Sequence, residues 1–281
     1  MEYRTLDKKI TSQGDFKKVI ESVVSNMFKI KADTRKIYVD LNSCLSILFH
    51  YENINSAETV EIIGKQLEMF LQVYLNDKVE IVILFTLDKS QAHVDIYPDW
   101  CKERYERVAY QKSEFLQTLI VSLNKFSETN PLIKVVNTKK VHPALVVYEN
   151  ERLTRKRSTV LSKDVVFQCL PLRNLVIYTG VKYIDLDDNV RQLPDDIELP
   201  EPYDLFLPVY LCLRGDTRNE FKGYPKYGIK RSVEYIDKNK LRIKASLESE
   251  EHPLKEWIDK YSALYNTNKL LELNKEEIKI I

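Results

Sequence analysis

The residues best placed for chemistry are aspartates that follow short apolar runs. Asp40 ends the segment KIYVD, Asp88 comes three residues after VEIVILF (79–85), and Asp164 comes two residues after STVLS (158–162). Such runs have the length and β-branched content of strands. In a parallel sheet, ligands gather at the carboxyl ends of the strands. One aspartate after a strand is ordinarily a helix cap or turn former. Several meeting at one sheet edge would instead form a nest of hard oxygen donors for a divalent cation such as Mg²⁺.

Other chemistries find little support. Cys44, Cys101, Cys169 and Cys212 are isolated, with no CxxC pair to build a zinc site, and His50, His93, His142 and His252 lack HxxxH or HExxH spacing. Buried thiols in a reducing cytosol account for the cysteines. Six glycines are few for 281 residues, and no GxGxxG or GxxxxGK[ST] phosphate loop occurs.

The elements that must position the acids alternate. Strands are predicted at 36–41, 79–85, 132–136, 158–162 and 174–180. A helix follows Ser56, with Val60, Ile63, Leu67, Phe70 and Tyr74 on one face, and a second helical stretch covers roughly 98–127. Strand–helix alternation predicts an α/β fold, a mostly parallel central sheet flanked by helices on both faces. Beyond residue 204 the pattern turns helical, and the stripe Leu254, Trp257, Ile258, Tyr261, Leu264 reads as core packing. This divides the chain into an N-terminal helical extension (1–35), an α/β core (36–203) and a helical region (204–281).

Length and charge agree with one large α/β unit, since single cores stop growing near about 250–300 residues. The formal charge is +1, from 43 basic and 42 acidic side chains, but it is segregated. Residues 152–163 carry five basic side chains and no acid, and residues 214–231 carry Arg214, Arg218, Lys222, Lys226, Lys230 and Arg231 against Asp216 and Glu220. Residues 185–204 carry eight carboxylates and one arginine. Two basic runs flanking an acidic loop suit a surface facing phosphates. No apolar run approaches the roughly 18 residues of a membrane span, and the polar first fifteen residues resemble no leader. An intracellular, cytoplasmic protein without a membrane partner is expected.

The segment LCLRGDTRNEFKGYPKYGIKRSVEYI (211–236) carries a family signature. It resembles the stretch of the 5′-nuclease (flap endonuclease, PIN-like) family with the pattern GDxxDN-x-x-G-x-x-G-x-G-x-K, matched at Gly215, Asp216, Gly223, Gly228 and Lys230. IYVDLNSCL resembles the family's opening strand and first metal-binding acid, at Asp40. ILFTLDKSQAHVDIYPDWCKER resembles the strand, Lys-rich turn and basic helix at the base of the arch that passes a single strand. VLSKDVVFQCL resembles the family's S-x-x-D-x-D segment, with Asp164 as its first acid. The resemblance covers about residues 36–236 and implies a helix–three-turn–helix element gripping duplex backbone, with Gly223, Lys226, Gly228, Lys230 and Arg231 at phosphates. It also implies that Trp100, Lys102, Arg104 and Arg107 guide a single strand, by stacking and phosphate contacts.

The departures matter equally. The family's acidic G-V-E-A-D-D segment falls on residues 140–145, where His142, Ala144 and Leu145 stand in place of carboxylates. Val166 and Asn219 replace further acids, and Thr86 replaces the acid after the second strand, leaving Asp88 as a shifted substitute. The retained acids are Asp40, Asp164 and Asp216. Two metal ions about 4 Å apart need more oxygens than these, so the resemblance leaves room for one weakly bound Mg²⁺ or Mn²⁺. The implied function is a non-catalytic, sequence-independent DNA-binding or interaction subunit, and the family's distribution points to a viral or phage replication or transcription assembly. Two alternatives stand beside it. One is a divergent, active 5′–3′ exonuclease or flap endonuclease in which Asp88, Asp95, Asp99 or Glu149 replaces lost ligands. The other is a scaffold that binds protein alone.

Overall fold

A computed structural model describes residues 34–45, 57–179, 183–186, 193–245 and 253–278, together with Lys18; at 103–113, 245, 253, 276 and 277 it describes the backbone alone. The N-terminal extension proposed for 1–35 lies outside the described residues apart from Lys18, Thr34 and Arg35.

Six strands form one sheet in the order β3-β2-β1-β4-β5-β6. The strands are β1 (Lys36–Asp40), β2 (Glu80–Phe85), β3 (Ile133–Asn137), β4 (Ser158–Leu161), β5 (Leu175–Tyr178) and β6 (Tyr183–Asp185). The first five are parallel, and β6 runs antiparallel to β5. Sequence reading found the five parallel strands. It missed β6, whose three residues are too short to show a period.

Alternation along the strands sends side chains to two separate cores. Ile37, Val39, Ile81, Ile83, Phe85, Leu161 and Tyr178 face α2 (Ala57–Asn76) and α4 (Lys102–Glu128). Tyr38, Val82, Leu84, Val160 and Ile177 face the opposite layer. That layer contains α3 (Gln91–Ile96), α5 (Pro143–Glu151) and α6 (Tyr203–Arg214), with α1 (Leu41–Cys44) lying at the carboxyl edge of β1. The five residues predicted on one face of α2 are all buried.

The helical stretch predicted over 98–127 is the single helix α4, which starts four residues later, at Lys102, and is separate from α3. The backbone leaves helical geometry at Tyr97 and turns at Cys101, where φ is +54°. The helices after Tyr203 share the core of β4 and β5 through Phe206, Leu207, Tyr210 and Leu211. They continue as α7 (Ile229–Ala245), α8 (Pro253–Tyr261), α9 (Thr267–Leu273) and α10 (Lys275–Ile278). The stripe from Leu254 to Leu264 packs on this core, with the Trp257 indole donating to the Cys212 carbonyl at 2.8 Å. All four cysteines are buried thiols. No helix among the described residues is long and apolar enough to cross a membrane.

Candidate functional site

Strand order reverses between β1 and β4: from β1 the chain proceeds outward through β2 and β3, then returns to the other side for β4 and β5. Such a switch point opens a crevice at the carboxyl ends of the two strands. Asp40 is the last residue of β1, and Asp164 follows β4 directly beside it. Asp216 arrives from the turn after α6.

Asp40 is 4% exposed. Its Oδ2 accepts the Ser162 hydroxyl at 2.7 Å, and its Oδ1 caps α1 by accepting the Ser43 amide at 3.1 Å. Asp164 Oδ1 accepts the Val166 amide at 3.0 Å, and Oδ2 lies 3.4 Å from His142 Nε2. The other ring nitrogen, Nδ1, accepts the Ala144 amide at 3.1 Å, so the proton of a neutral His142 resides on Nε2 and points at Asp164. Asp216 is 5% exposed. Its own turn surrounds it, with Oδ1 accepting from the Arg218 amide (3.1 Å) and Oδ2 from Asn219 Nδ2 (2.8 Å) and the Tyr265 hydroxyl (3.2 Å).

The charges are coupled through Asp164. Burial raises the carboxyls of Asp40 and Asp216 above the ordinary aspartate value, and the neighbouring Asp164 adds to both. Burial also opposes ionisation of Asp164, but the hydrogen bond and electrostatic attraction of His142 and the charge of Arg218 outweigh it. They hold that carboxyl well below the usual range.

Arg218 is the site residue that sequence reasoning missed. Its Nη2 donates to Ser43 Oγ at 2.8 Å, and its charge draws down the carboxyls of both Asp40 and Asp164 without a direct ion pair to either. Its Nε is buried and unpartnered. The available signal was its position, a cation two residues after Asp216 in a segment stripped of its second acid.

The positions where carboxylates were missing now do other work. His142 caps α5, Ala144 and Leu145 are fully buried in the core, and Val166 is buried beside Asp164. Asn219 ties the turn to the start of α4 by accepting the Cys101 amide at 3.1 Å. Thr86 is buried at the end of β2, its amide donating to Asn42 Oδ1 at 2.9 Å and its hydroxyl bonded to the Lys139 carbonyl.

The proposed substitute ligands sit elsewhere. Asp88 is exposed, and its carbonyl accepts the Thr86 hydroxyl at 2.9 Å. Asp95 accepts from Gln91 at 2.7 Å, Asp99 pairs with Lys102 at 3.4 Å, and Glu149 pairs with Arg152 at 3.0 Å. Among the described residues, no three His, Cys, Asp or Glu side chains are grouped so as to hold a metal ion. The acids meet at one end of the sheet, but they do not form one cage.

Two of the predicted nucleic-acid contacts need correction. Trp100 is 3% exposed, its ring 4.7 Å from that of His93 and 5.9 Å from that of Tyr265, so its indole has no free face for a base. Gly223 is required by the protein's own backbone. Its φ is +69°, and a Cβ there would lie 2.4 Å from the Gly215 amide nitrogen. Lys102 is exposed and pairs with Asp99. The side chains of Arg104 and Arg107 lie outside the described residues.

The rest of the turn faces solvent. Lys226 is exposed at φ +67°, and its carbonyl accepts Arg231 Nη1 at 3.2 Å. Gly228 has open space where a side chain would stand. Lys230 is 90% exposed, 4.0 Å from Glu234.

A parallel sheet with acids at its switch point, covered on both faces and followed by a helix–turn–helix hairpin, defines the 5′-nuclease (PIN-like) α/β fold. Solved structures agree. Bacteriophage T5 D15 protein co-crystallised with metal ions matches with a TM-score of 0.59 and 11% identity, over 87% of this chain and 96% of that one. A pseudo-enzyme–product complex of bacteriophage T5 D15 flap endonuclease with DNA and metal ions matches with a TM-score of 0.53 and 15% identity, over 85% and 88%. T5 5′-exonuclease with bound zinc matches with a TM-score of 0.53 and 15% identity, over 86% and 89%. At such identities the likeness is one of fold. No protein-family model and no curated protein matches the sequence.

Proposed function

We propose that this chain is a nucleic-acid-binding protein built on the 5′-nuclease fold, whose acidic centre no longer performs two-metal phosphodiester hydrolysis. The observation that carries this reading is the partnering of the three retained acids. Ser162, Ser43, Val166, His142, Asn219 and Tyr265 engage the carboxylate oxygens, and the Arg218 guanidinium supplies positive charge beside Asp40 and Asp164. Two hard cations need several uncommitted oxygens, and the residues present do not fit them. Arg218 stands in by charge for a divalent ion and cannot activate a water.

DNA is the partner that the fold favours, since a T5 D15 flap endonuclease of this fold is known in complex with DNA and metal ions. The contact surface is the hairpin between α6 and α7, a helix–three-turn–helix in this reading. Its exposed Lys222, Lys226 and Lys230 neutralise phosphates, while Gly228 leaves the first amides of the 17-residue α7 open to an anion. Such contacts grip any sequence. The role is a binding or interaction subunit of a nucleic-acid assembly.

Purified protein should retain a 5′-flap duplex in salt-sensitive fashion and leave it uncut in Mg²⁺ or Mn²⁺. Lys226→Glu/Lys230→Glu should weaken binding to all sequences, with the salt slope reduced by about 0.9 for each phosphate no longer neutralised. Flap cleavage abolished by Asp40→Ala would overturn the inactive reading. Unchanged DNA affinity in the double variant would remove the hairpin.

A further inference from the structure

At the opposite pole of the sheet, the amino ends of β4 and β5 carry a concave basic site that the acidic centre does not use. Four residues of β4 separate the two poles, about 13 Å at ordinary strand rise. The cavity has a volume of about 390 Å³, and Arg152, Arg155, Arg157 and Arg173 line it above Leu172 and Asn174. Arg152 pairs with Glu149 at 3.0 Å, and Arg157 pairs with Asp185 on the rim. Arg155 and Arg173 have no carboxylate partner among the described residues, although both are exposed at the cavity.

The loop that presents these arginines is tied down. Asn174 Nδ2 donates to the carbonyls of Thr154 and Lys156 at 3.0 and 3.2 Å, and the Thr154 hydroxyl accepts from Arg35 at 3.2 Å and from the Lys156 amide at 3.2 Å. Ser158 then enters β4 by donating its amide to the Asn174 carbonyl at 3.0 Å. The backbone beneath the guanidiniums is therefore fixed before any ligand arrives, which lowers the ordering cost of binding. With Arg152 and Arg157 held by carboxylates, Arg155 and Arg173 leave the hollow a net positive charge that an anion would offset, and the guanidinium fork matches phosphate oxygens two at a time.

We propose that this pocket binds a compact polyphosphate, the chemistry shared by inorganic polyphosphate and by the di- or triphosphate of a nucleotide. Its volume is that of a small-ligand site and not of a track for a polymer. Asp185 in its lining would meet a long polyanion with like charge, whereas a short ligand can engage Arg155 and Arg173, which have no carboxylate partner among the described residues. Pro171, exposed in the pocket lining, offers an apolar contact that a nucleobase would use and inorganic phosphate would not.

The test is titration calorimetry of the intact protein with tripolyphosphate and, separately, a nucleoside triphosphate, at fixed salt. Saturable binding of at least one is expected. Arg155→Ala/Arg173→Ala should weaken it by about tenfold or more, with unchanged circular dichroism and unchanged affinity for 5′-flap DNA. Tighter binding of the nucleotide than of tripolyphosphate, lost in Pro171→Ser, assigns the nucleotide; equal binding assigns the phosphate chain alone. Absence of binding by both, or a variant that binds like wild type, overturns the proposal. So does a variant that loses DNA affinity without affecting either probe, which would make the pocket part of the nucleic-acid surface.

Discussion

The two poles of the sheet bury carboxylates with the same parts in different proportions. At the amino pole, Glu151 is fully buried and accepts from Arg35 (2.9 Å), the Tyr38 hydroxyl (2.7 Å) and the Ser158 hydroxyl (2.9 Å), with Lys36 at 3.8 Å. Glu151 there has Arg35 to itself and shares Lys36 with Glu80, which lies 3.3 Å from that lysine. At the carboxyl pole, Asp40 and Asp164 share the charge of Arg218, His142 assists Asp164, and Asp216 has only the Arg218 amide and its neutral partners. Ser158 and Ser162, four residues apart at the two ends of β4, donate to the carboxylate at each pole. The first arrangement is closed and structural. The second is richer in acid than a stable core needs, and burial keeps Asp40 and Asp216 raised, which marks charge held against its own solvation. On the proposed reading, that imbalance is the remnant of a cation site.

Substitution should separate the poles. Glu151→Ala removes the centre of a closed network and strands Arg35, Tyr38 and Ser158, a loss of about 3–5 kcal/mol by the cost of breaking a buried pair. A fall in urea midpoint of only a few tenths molar would show that the amino pole is not the closed network described. The next effect concerns His93, which is fully buried, its Nε2 2.9 Å from the Leu264 carbonyl, with a pKa lowered to about 3 chiefly by burial and then by His142. Because the folded value lies below the unfolded one, its contribution is complete above about pH 6.5 and is lost as pH falls toward 3. Between those limits stability should drop by about 1.4 kcal/mol per pH unit, or about 2 kcal/mol from pH 6.5 to 5. Thermal unfolding across that range should show a shallower slope in His93→Gln than in wild type, and equal slopes would refute the assignment. The smallest effects belong to Asp40→Asn and Asp216→Asn. Each keeps an acceptor for its principal donor and relieves a raised carboxylate, so melting temperature should hold or rise. A loss near that of Glu151→Ala would erase the contrast between the poles.

Much of this was legible in the sequence because strands and acids write strong local signals. The runs ending in Asp40 and Phe85 are apolar on both faces, as a doubly covered sheet requires, and the position of each acid relative to its strand put Asp40 and Asp164 at the carboxyl edge where the fold has them. Partners remote in sequence were not legible. Arg218 reaches Ser43 across 175 residues, and Tyr265 reaches Asp216 across 49. Trp100 misled for the same reason: helical spacing set it beside arginines, whereas the break at Cys101 turns it into the core against His93 and Tyr265. Gly223 shows how a motif residue can persist for reasons of its own chain, since the close approach it allows is to Leu213–Gly215.

The central claim is that Arg218 supplies the charge a divalent ion would otherwise bring to Asp40 and Asp164. Mn²⁺ binding followed by electron paramagnetic resonance, on wild type and Arg218→Ala side by side, tests it most directly. The account predicts that Arg218→Ala binds Mn²⁺ about tenfold or more tightly than wild type, and that Asp164→Asn in the same background abolishes the gain. Wild-type protein that binds Mn²⁺ as tightly as Arg218→Ala would contradict it.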